Sequence, residues 1–315
     1  MDTAATVRGA PPIAKTDLAG HIGRRRKERL IKAAFLAAAV VSIAVSVGIV
    51  LSVLGNAIHF LSLISPSQLL AGGWFPRQGD FGVATLLAGT LLVTVIGMAV
   101  ATPLGLGAAT YLAEFATPRA RRTLKPIVEI LAGIPSVVLG YFALNVISPD
   151  LVRKLFSGAT LFNLAAAGIA VGILVTPLVA SVAEDAMFAV PRSLREAAFG
   201  LGARKRATSL RVVFPAATSG IVAALILGIS RAIGETMIVA IAAGATGNAT
   251  FTLNPLHYGM TMTTAMSSLA IGTDQVGGDP AAFPSLFFVG LLLFVITFSL
   301  NLIADRFVRR VRERY

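Results

Sequence analysis

The sequence predicts an all-α membrane protein of six transmembrane helices with both termini in the cytoplasm. Three observations carry this. Mean hydropathy is +0.81 and 56% of the residues are hydrophobic, more than a soluble domain holds. Six apolar stretches are each long enough to cross a bilayer core of about 30 Å at a rise of about 1.5 Å per residue. Basic residues concentrate in alternate connections. With the N-terminus inside, the tail counted through Lys32, 114–125, 184–215 and 305–315 hold eight, four, six and five Lys or Arg, 23 of the chain's 27. The opposite side holds three, Arg77, Arg153 and Lys154, and Arg231 lies within a span. That bias is the positive-inside signature. The net charge of +12 therefore reflects sidedness and gives no reason to expect nucleic acid as a partner.

The chemistry that is missing narrows the function. There is no cysteine, so no disulfide framework and no cysteine metal site. His21, His59 and His257 are isolated and read as surface or loop residues, with no metal site expected. The string nearest to a nucleotide-binding loop, GAPPIAKT at Gly9–Thr16, has Ala14 where the second glycine is required. No serine nucleophile elbow, zinc motif or dinucleotide fingerprint appears. The chain is expected to be no enzyme and to hold no cofactor of its own. Uphill movement of a solute would draw on a partner or an ion gradient.

The elements follow in order. Residues 1–30 form a basic cytoplasmic tail with Pro11, Pro12 and the run RRRKER, expected to be solvated and disordered. Residues 31–315 form the six-helix domain. The first span, roughly 32–54, has an apolar run too long for a signal-peptide core and is expected to be retained. The second, roughly 82–113, is expected to bend at Pro103; the third, roughly 125–147, contains Pro135. The fourth, roughly 160–183, carries Pro177 and the pair Gly168 and Gly172, which permits close helix contact. The fifth is roughly 216–245 and the sixth roughly 284–304. Two external connections stand out. In 55–81, Trp74, Phe75, Pro76 and Phe81 are expected to anchor at the membrane interface. Residues 246–283, rich in Gly, Thr and Asn, are expected to fold over the outer mouth or meet an external partner.

Function concentrates in 191–235. Pro191 can open a helix, and Ser193 with Glu196 has the spacing of a capping box. Gly200 and Gly202 interrupt the pattern, and a second helical piece runs to Pro215. From spacing alone this is a surface hairpin or a docking knob on the cytoplasmic face, at about 191–215.

REAAFGLGARKRATSLRVVFPA, Arg195–Ala216, is similar to the EAA loop of ABC importer membrane subunits. The matching positions are Glu196-Ala197-Ala198, Gly202 and Phe214-Pro215. The resemblance implies a type I importer permease architecture in which Glu196, Ala197, Ala198 and Gly202 dock on an ATP-binding subunit. RAIGETMIVAIAAG, Arg231–Gly244, and EILAGIPSVVLGYFAL, Glu129–Leu144, resemble permease subunits of the phosphate-specific transport system. So do Trp74-Phe75-Pro76, Phe81-Gly82 and Gly89-Thr90-Leu91. Met237 after Glu235-Thr236, with Val239 following, leans toward the PstC type rather than the PstA type. The resemblance covers roughly 66–305. It implies inorganic phosphate as solute, a PstA-type second permease subunit, two PstB-type subunits using ATP and Mg, and an external PstS-type phosphate-binding protein. A permease for another oxyanion or nutrient would carry the same loop. A secondary transporter or a membrane scaffold would not need it, and no internal repeat supports that class.

The residues support the same direction. Arg231 and Glu235 stand at i and i+4 in a span, so one helix face is expected to carry both. Each charge costs about 2.5–3.5 kcal/mol at mid-bilayer, and an exposed-type pair returns only about 0.3–0.5 kcal/mol. The pair is either structural, between packed helices, or an anion site. Arginine's planar donor fork matches phosphate bidentately and keeps its charge. A carboxylate repels most anions but accepts the proton of monohydrogen phosphate, which sulfate lacks. Thr236 would line the same path. Lys125 and Glu129 read as a local ion pair, and Thr90 and Ser136 as path-lining or helix-packing residues.

Overall fold

The computed structural model describes residues 22–70, 72–244, 246–272 and 279–311. Most of the expected tail, with Pro11, Pro12 and His21, lies outside them. The chain divides into two compact units, Met1–Ser52 and Val53–Tyr315.

The first unit is the N-terminal part of helix α1 (Ile22–Leu63). The helix begins ahead of the basic run, so RRRKER is helical rather than part of a solvated arm. Lys, Arg and Glu are good helix formers, and a helix already nucleated in the apolar run extends through them cheaply. Every side chain described from Lys27 to Ser52 is exposed, and most are apolar. A helix apolar all round is suited to lipid.

The second unit continues, after the end of α1, with β1 (Gly73–Phe75), β2 (Asp80–Phe81) and α2 (Val83–Thr110), which runs through Pro103 and ends in a π turn, Tyr111–Phe115. Next come α3 (Pro118–Leu131), α4 (Ser136–Phe142, prolonged by a π-helix to Val152) and α5 (Leu164–Phe188). The basic hairpin is α6 (Arg192–Gly200) and α7 (Lys205–Ala216). Then follow α8 (Thr218–Ile233), α9 (Met237–Val239, prolonged by a π turn to Gly244), β3 (Ala249–Thr250), α10 (Met262–Ile271) and α11 (Ala282–Val311).

Four of these helices are long and apolar enough to cross a membrane alone, and two bent pairs bring the number to as many as six. The bent pairs correct two expectations. The third span is α3 and α4, turned 83° at Gly133-Ile134-Pro135. A residue before proline is pushed out of the helical region, and proline then opens the next helix. The fifth span is turned 72° between α7 and α8 and stops at Ile233.

α5 is the central helix, packed on α2, α4 and α8. The Gly168–Gly172 expectation holds here. A Cβ on Gly172 would lie 2.7 Å from the Gly97 carbonyl oxygen, so the two backbones touch. The small antiparallel sheet has the order β2-β1-β3, with Trp74 opposite Phe81 on one side and Ala249 on the other. This overturns the interfacial-anchor reading. Trp74 is fully buried, its ring 5.9 Å from that of Phe81, which in turn meets Phe60 edge-on at 5.1 Å. Strands on both flanks of β1 turn the aromatic cluster into a core.

Candidate functional site

The site is built around a break. α8 ends at Ile233, Gly234 closes it, and Glu235 and Thr236 stand between α8 and α9. The Gly234 N–H donates to the Ser230 carbonyl and the Glu235 N–H to the Ala232 carbonyl, both at 3.3 Å, tightening the last turn. Arg231 and Glu235 therefore do not share one continuous helix face, which corrects the i,i+4 expectation. Arg231 lies in the last turn of α8, where the helix dipole favours a cation. It is exposed and, among the described residues, has neither a hydrogen bond nor an ion pair. Glu235 is half-buried. Its Oε1 accepts the Ile238 N–H at 3.4 Å and so caps the start of α9. Thr236 is also half-buried, its hydroxyl donating to the Gly234 carbonyl at 3.3 Å. One residue before Arg231, the Ser230 hydroxyl donates to Asn301 Oδ1 at 3.2 Å and ties α8 to α11.

A segment expected to be an external loop supports this break. α10 starts with a capping box, Thr261 and Thr264 each satisfying the other's backbone N–H. The next donor, the Met262 N–H, reaches Thr90 Oγ1 on α2 at 3.0 Å. The Thr263 hydroxyl donates to the Glu235 backbone carbonyl at 2.9 Å. Thr90, Thr261, Thr263 and Thr264 are all buried. So α10 enters between α2 and the break. Thr90 is a fixed packing group here, its hydroxyl donating to the Leu86 carbonyl at 2.8 Å. Ser136 is half-buried at the start of α4. Sequence reasoning missed Thr263; the Thr261–Thr264 cap spacing was the available signal. Residues 273–278 of the same connection lie outside the described residues.

Two clamps beside the basic hairpin were not announced by the sequence. Arg195, on α6, donates to Glu114 Oε1 from Nε at 3.1 Å and from Nη2 at 2.8 Å. The same guanidinium donates to the carbonyls of Val190 at 2.6 Å and Met187 at 2.8 Å. The hairpin is thus fastened to the ends of α2 and α5. The second clamp centres on Glu184, whose side chain is 0% exposed. Lys125 reaches its Oε2 at 2.7 Å, and Arg121 pairs with Oε1. Lys125 also pairs with Asp185, so the expected Lys125–Glu129 pair is not formed. A carboxylate buried this deeply demands cations, whereas Glu129 is exposed and solvated. The signal missed was the acidic pair Glu184-Asp185 in an otherwise apolar helix.

The hairpin carries the residues expected to dock. Glu196, Ala197 and Gly202 are exposed and Ala198 is half-buried. Gly202 has φ +80°, so the expected glycine turn is real and needs a residue without a Cβ. At its tip Leu201 is 90% exposed, with Phe199 exposed beside it. The expected Ser193–Glu196 capping box is absent, because Pro191 takes the cap position and Ser193 already lies inside the helix.

This arrangement, apolar spans of which one is broken at Gly234 and a clamped basic hairpin, defines a multi-pass membrane permease. The chain belongs to the binding-protein-dependent transport system inner membrane component family, whose model matches residues 101–313. It is 33% identical over 267 residues to a probable ABC transporter permease protein YqgH of Bacillus subtilis, covering 83% of this chain and 84% of that one. It is 30% identical over 301 residues to the phosphate transport system permease protein PstC of Mesorhizobium japonicum, covering 88% and 89%. Among solved structures, an inward-facing MetNI methionine ABC transporter aligns with a TM-score of 0.54 at 21% identity, over 74% of this chain and 95% of that one. That last likeness concerns the fold alone.

Proposed function

We propose that this chain is a permease subunit of an ATP-driven importer that moves inorganic phosphate into the cytoplasm. The observation that carries the reading is an arginine without a partner among the described residues, Arg231, four residues before a half-buried carboxylate at a break in a span, in a chain whose relatives include phosphate transport permeases. A cation left unpaired at membrane depth is costly unless a substrate or a partner subunit answers it. Arg231 is the anion contact, Glu235 accepts the proton of monohydrogen phosphate and thereby selects against sulfate, and Thr236 lines the same path.

The partners follow from the same reading: a PstA-type second permease, two PstB-type ATP-binding subunits and a PstS-type external binding protein. ATP and Mg belong to the PstB-type subunits. Their closure pulls on Glu196, Ala197, Ala198 and the Gly202 turn. Arg195 passes that pull to the ends of α2 and α5 through Glu114 and the Met187 and Val190 carbonyls. The segment Gly234–Thr236 is the element able to yield, because it interrupts the fifth span between α8 and α9. Both termini are cytoplasmic on the count of 23 basic residues out of 27.

The test is uptake of phosphate, sulfate and molybdate by the reconstituted complex. Phosphate should be preferred. Glu235→Gln should lose part of the preference over sulfate, and Arg231→Lys should be badly impaired although charge is kept. Equal uptake of all three anions by the unmodified complex would assign the chain to a broader oxyanion importer instead.

A further inference from the structure

A cleft of about 580 Å³ lies between α3, the π turn that ends α2, the last residue of α5 and the first of α6. Its lining joins the exposed apolar side chains of Pro118, Pro126 and Phe188 to four cations, Arg121, Arg122, Lys125 and Arg192. One carboxylate, Glu129, also lines it. All the lining residues lie well inside the described stretch 72–244. The geometry of α3 sets the depth of the cleft. Arg122, Lys125 and Glu129, at i, i+3 and i+7, share one face of the helix and line the cleft. Leu124, Ile127 and Leu131 have the same spacing, form the opposite face and are exposed. The 83° turn into Ser136–Leu155 lays α3 close to the membrane plane when that piece crosses. An amphipathic helix in that attitude puts its apolar face among acyl chains and its charged face at headgroup depth.

The four cations are not equivalent. Arg121 is answered by Glu184, and Lys125 by Glu184 and Asp185. Arg121 is also fixed over the Phe188 ring, 3.5 Å from its centroid. Glu114 of the π turn is taken by Arg195. Arg122 and Arg192 are exposed and, among the described residues, have neither a hydrogen bond nor an ion pair. Glu129 stands two turns from Arg122 along α3, too far along the helix for the two to pair as neighbours. The cleft thus keeps two unanswered guanidiniums, one from α3 and one from α6. A guanidinium presents a planar donor fork that suits a phosphate group. A free anion would use the cations alone and leave Pro118, Pro126 and Phe188 uncovered. A phospholipid answers both parts of the lining, its phosphate the arginines and its glycerol end the apolar side chains.

We propose that this cleft holds the phosphate of an anionic phospholipid from the leaflet on the hairpin's side, with Arg122 and Arg192 as its contacts. Basic pockets between membrane helices recognise anionic headgroups by this chemistry. The bound lipid bridges α3 to the first turn of the hairpin, two elements that Arg122 and Arg192 do not join by themselves. The proposal rests on the membrane-permease fold and is independent of the transported solute, which the uptake assay judges separately.

The test counts, by native mass spectrometry, the lipids retained by the full chain released from nanodiscs of equal phosphatidylglycerol and phosphatidylcholine. The unmodified chain should favour phosphatidylglycerol. Arg122→Gln and Arg192→Gln should each lower that preference about fivefold, the effect of one cation at an anionic surface. Neither side chain makes a bond among the described residues, so both variants should fold. Arg119→Gln with Arg204→Gln removes charge from exposed positions outside the cleft and should leave the preference unchanged. No preference in the unmodified chain, no loss in either single variant, or an equal loss in the control pair overturns the site. Displacement of the retained phosphatidylglycerol by millimolar inorganic phosphate would overturn the lipid and assign the cleft to a free anion. The same count on the chain co-purified with its partner subunits should show the same preference. Its loss there would mean that a protein covers the cleft, which also overturns the proposal.

Discussion

Arg195 is the residue on which the hairpin turns. Its guanidinium makes two bonds to Glu114 and two to backbone carbonyls, and the two side chains are 16% and 5% exposed. Truncation to Ala removes all four bonds and leaves the Glu114 carboxylate buried without a cation. Breaking a buried pair by removing one partner costs about 3–5 kcal/mol. At about 1.4 kcal/mol per decade, local opening of 111–116 and 187–200 should become roughly a hundred to a few thousand times more frequent. Hydrogen–deuterium exchange on the purified complex reads this directly. Arg195→Lys should recover only part of the protection, since one ammonium cannot span Glu114 and two carbonyls. Arg195→Met with Glu114→Met should restore protection, because it removes the stranded charge as well. If the hairpin transmits force through this clamp, the double variant should hydrolyse ATP but import poorly. Exchange in Arg195→Ala within threefold of the unmodified protein would refute the clamp. Normal import by the protected double variant would refute its role in transmission.

Three further outcomes follow from particular positions. Gly202→Leu forces a side chain into φ +80°, a strain of roughly 1–2 kcal/mol, and should reduce co-purification of the ATP-binding subunit; normal recovery would remove the turn from the docking surface. Gly89→Ala places a Cβ 2.1 Å from the Met260 carbonyl oxygen, so α10 must shift, at about 1–3 kcal/mol; faster exchange at 260–264 is expected, and unchanged exchange would count against the close approach of that segment. Single cysteines at Leu201, 90% exposed on the hairpin, and Ser267 report sidedness in a chain that has no cysteine of its own. Labelling from outside should reach the Ser267 site only, and the reverse result would invert the topology.

The parts of this fold that were legible in the sequence are those that local chemistry dictates. Apolar runs, basic connections, the Gly168–Gly172 pair and the Gly202 turn each follow from a single stretch. The parts that were not legible depend on distant partners. Trp74 read as an interfacial anchor because its burial requires β2 and β3 on either side, and β3 comes some 175 residues later. Lys125 was paired with Glu129 because helical spacing brings them near, whereas Glu184 competes from another helix with a carboxylate that cannot be solvated. Thr263 looked like loop polarity, since its partner is a backbone carbonyl 28 residues earlier in the chain. In each case tertiary burial decided between polar partners that spacing alone left equal.

The break at Gly234 changes what the Arg231–Glu235 spacing means. On a continuous helix the two charges would stack one turn apart and neutralise each other, leaving little reason for an anion to bind. With α8 closed at Ile233, the Glu235 side chain is engaged at the start of α9 and its carbonyl is held by Thr263. Arg231 stays on the other side of the break with its donors unclaimed among the described residues. The same five-residue string that would make a self-satisfied pair in a straight span makes an unsatisfied cation in a broken one. Thr263 is what maintains the difference. It ties the break in the fifth span to a buried, well-capped helix start, so a displacement of α10 would act on the Glu235 backbone through this hydrogen bond.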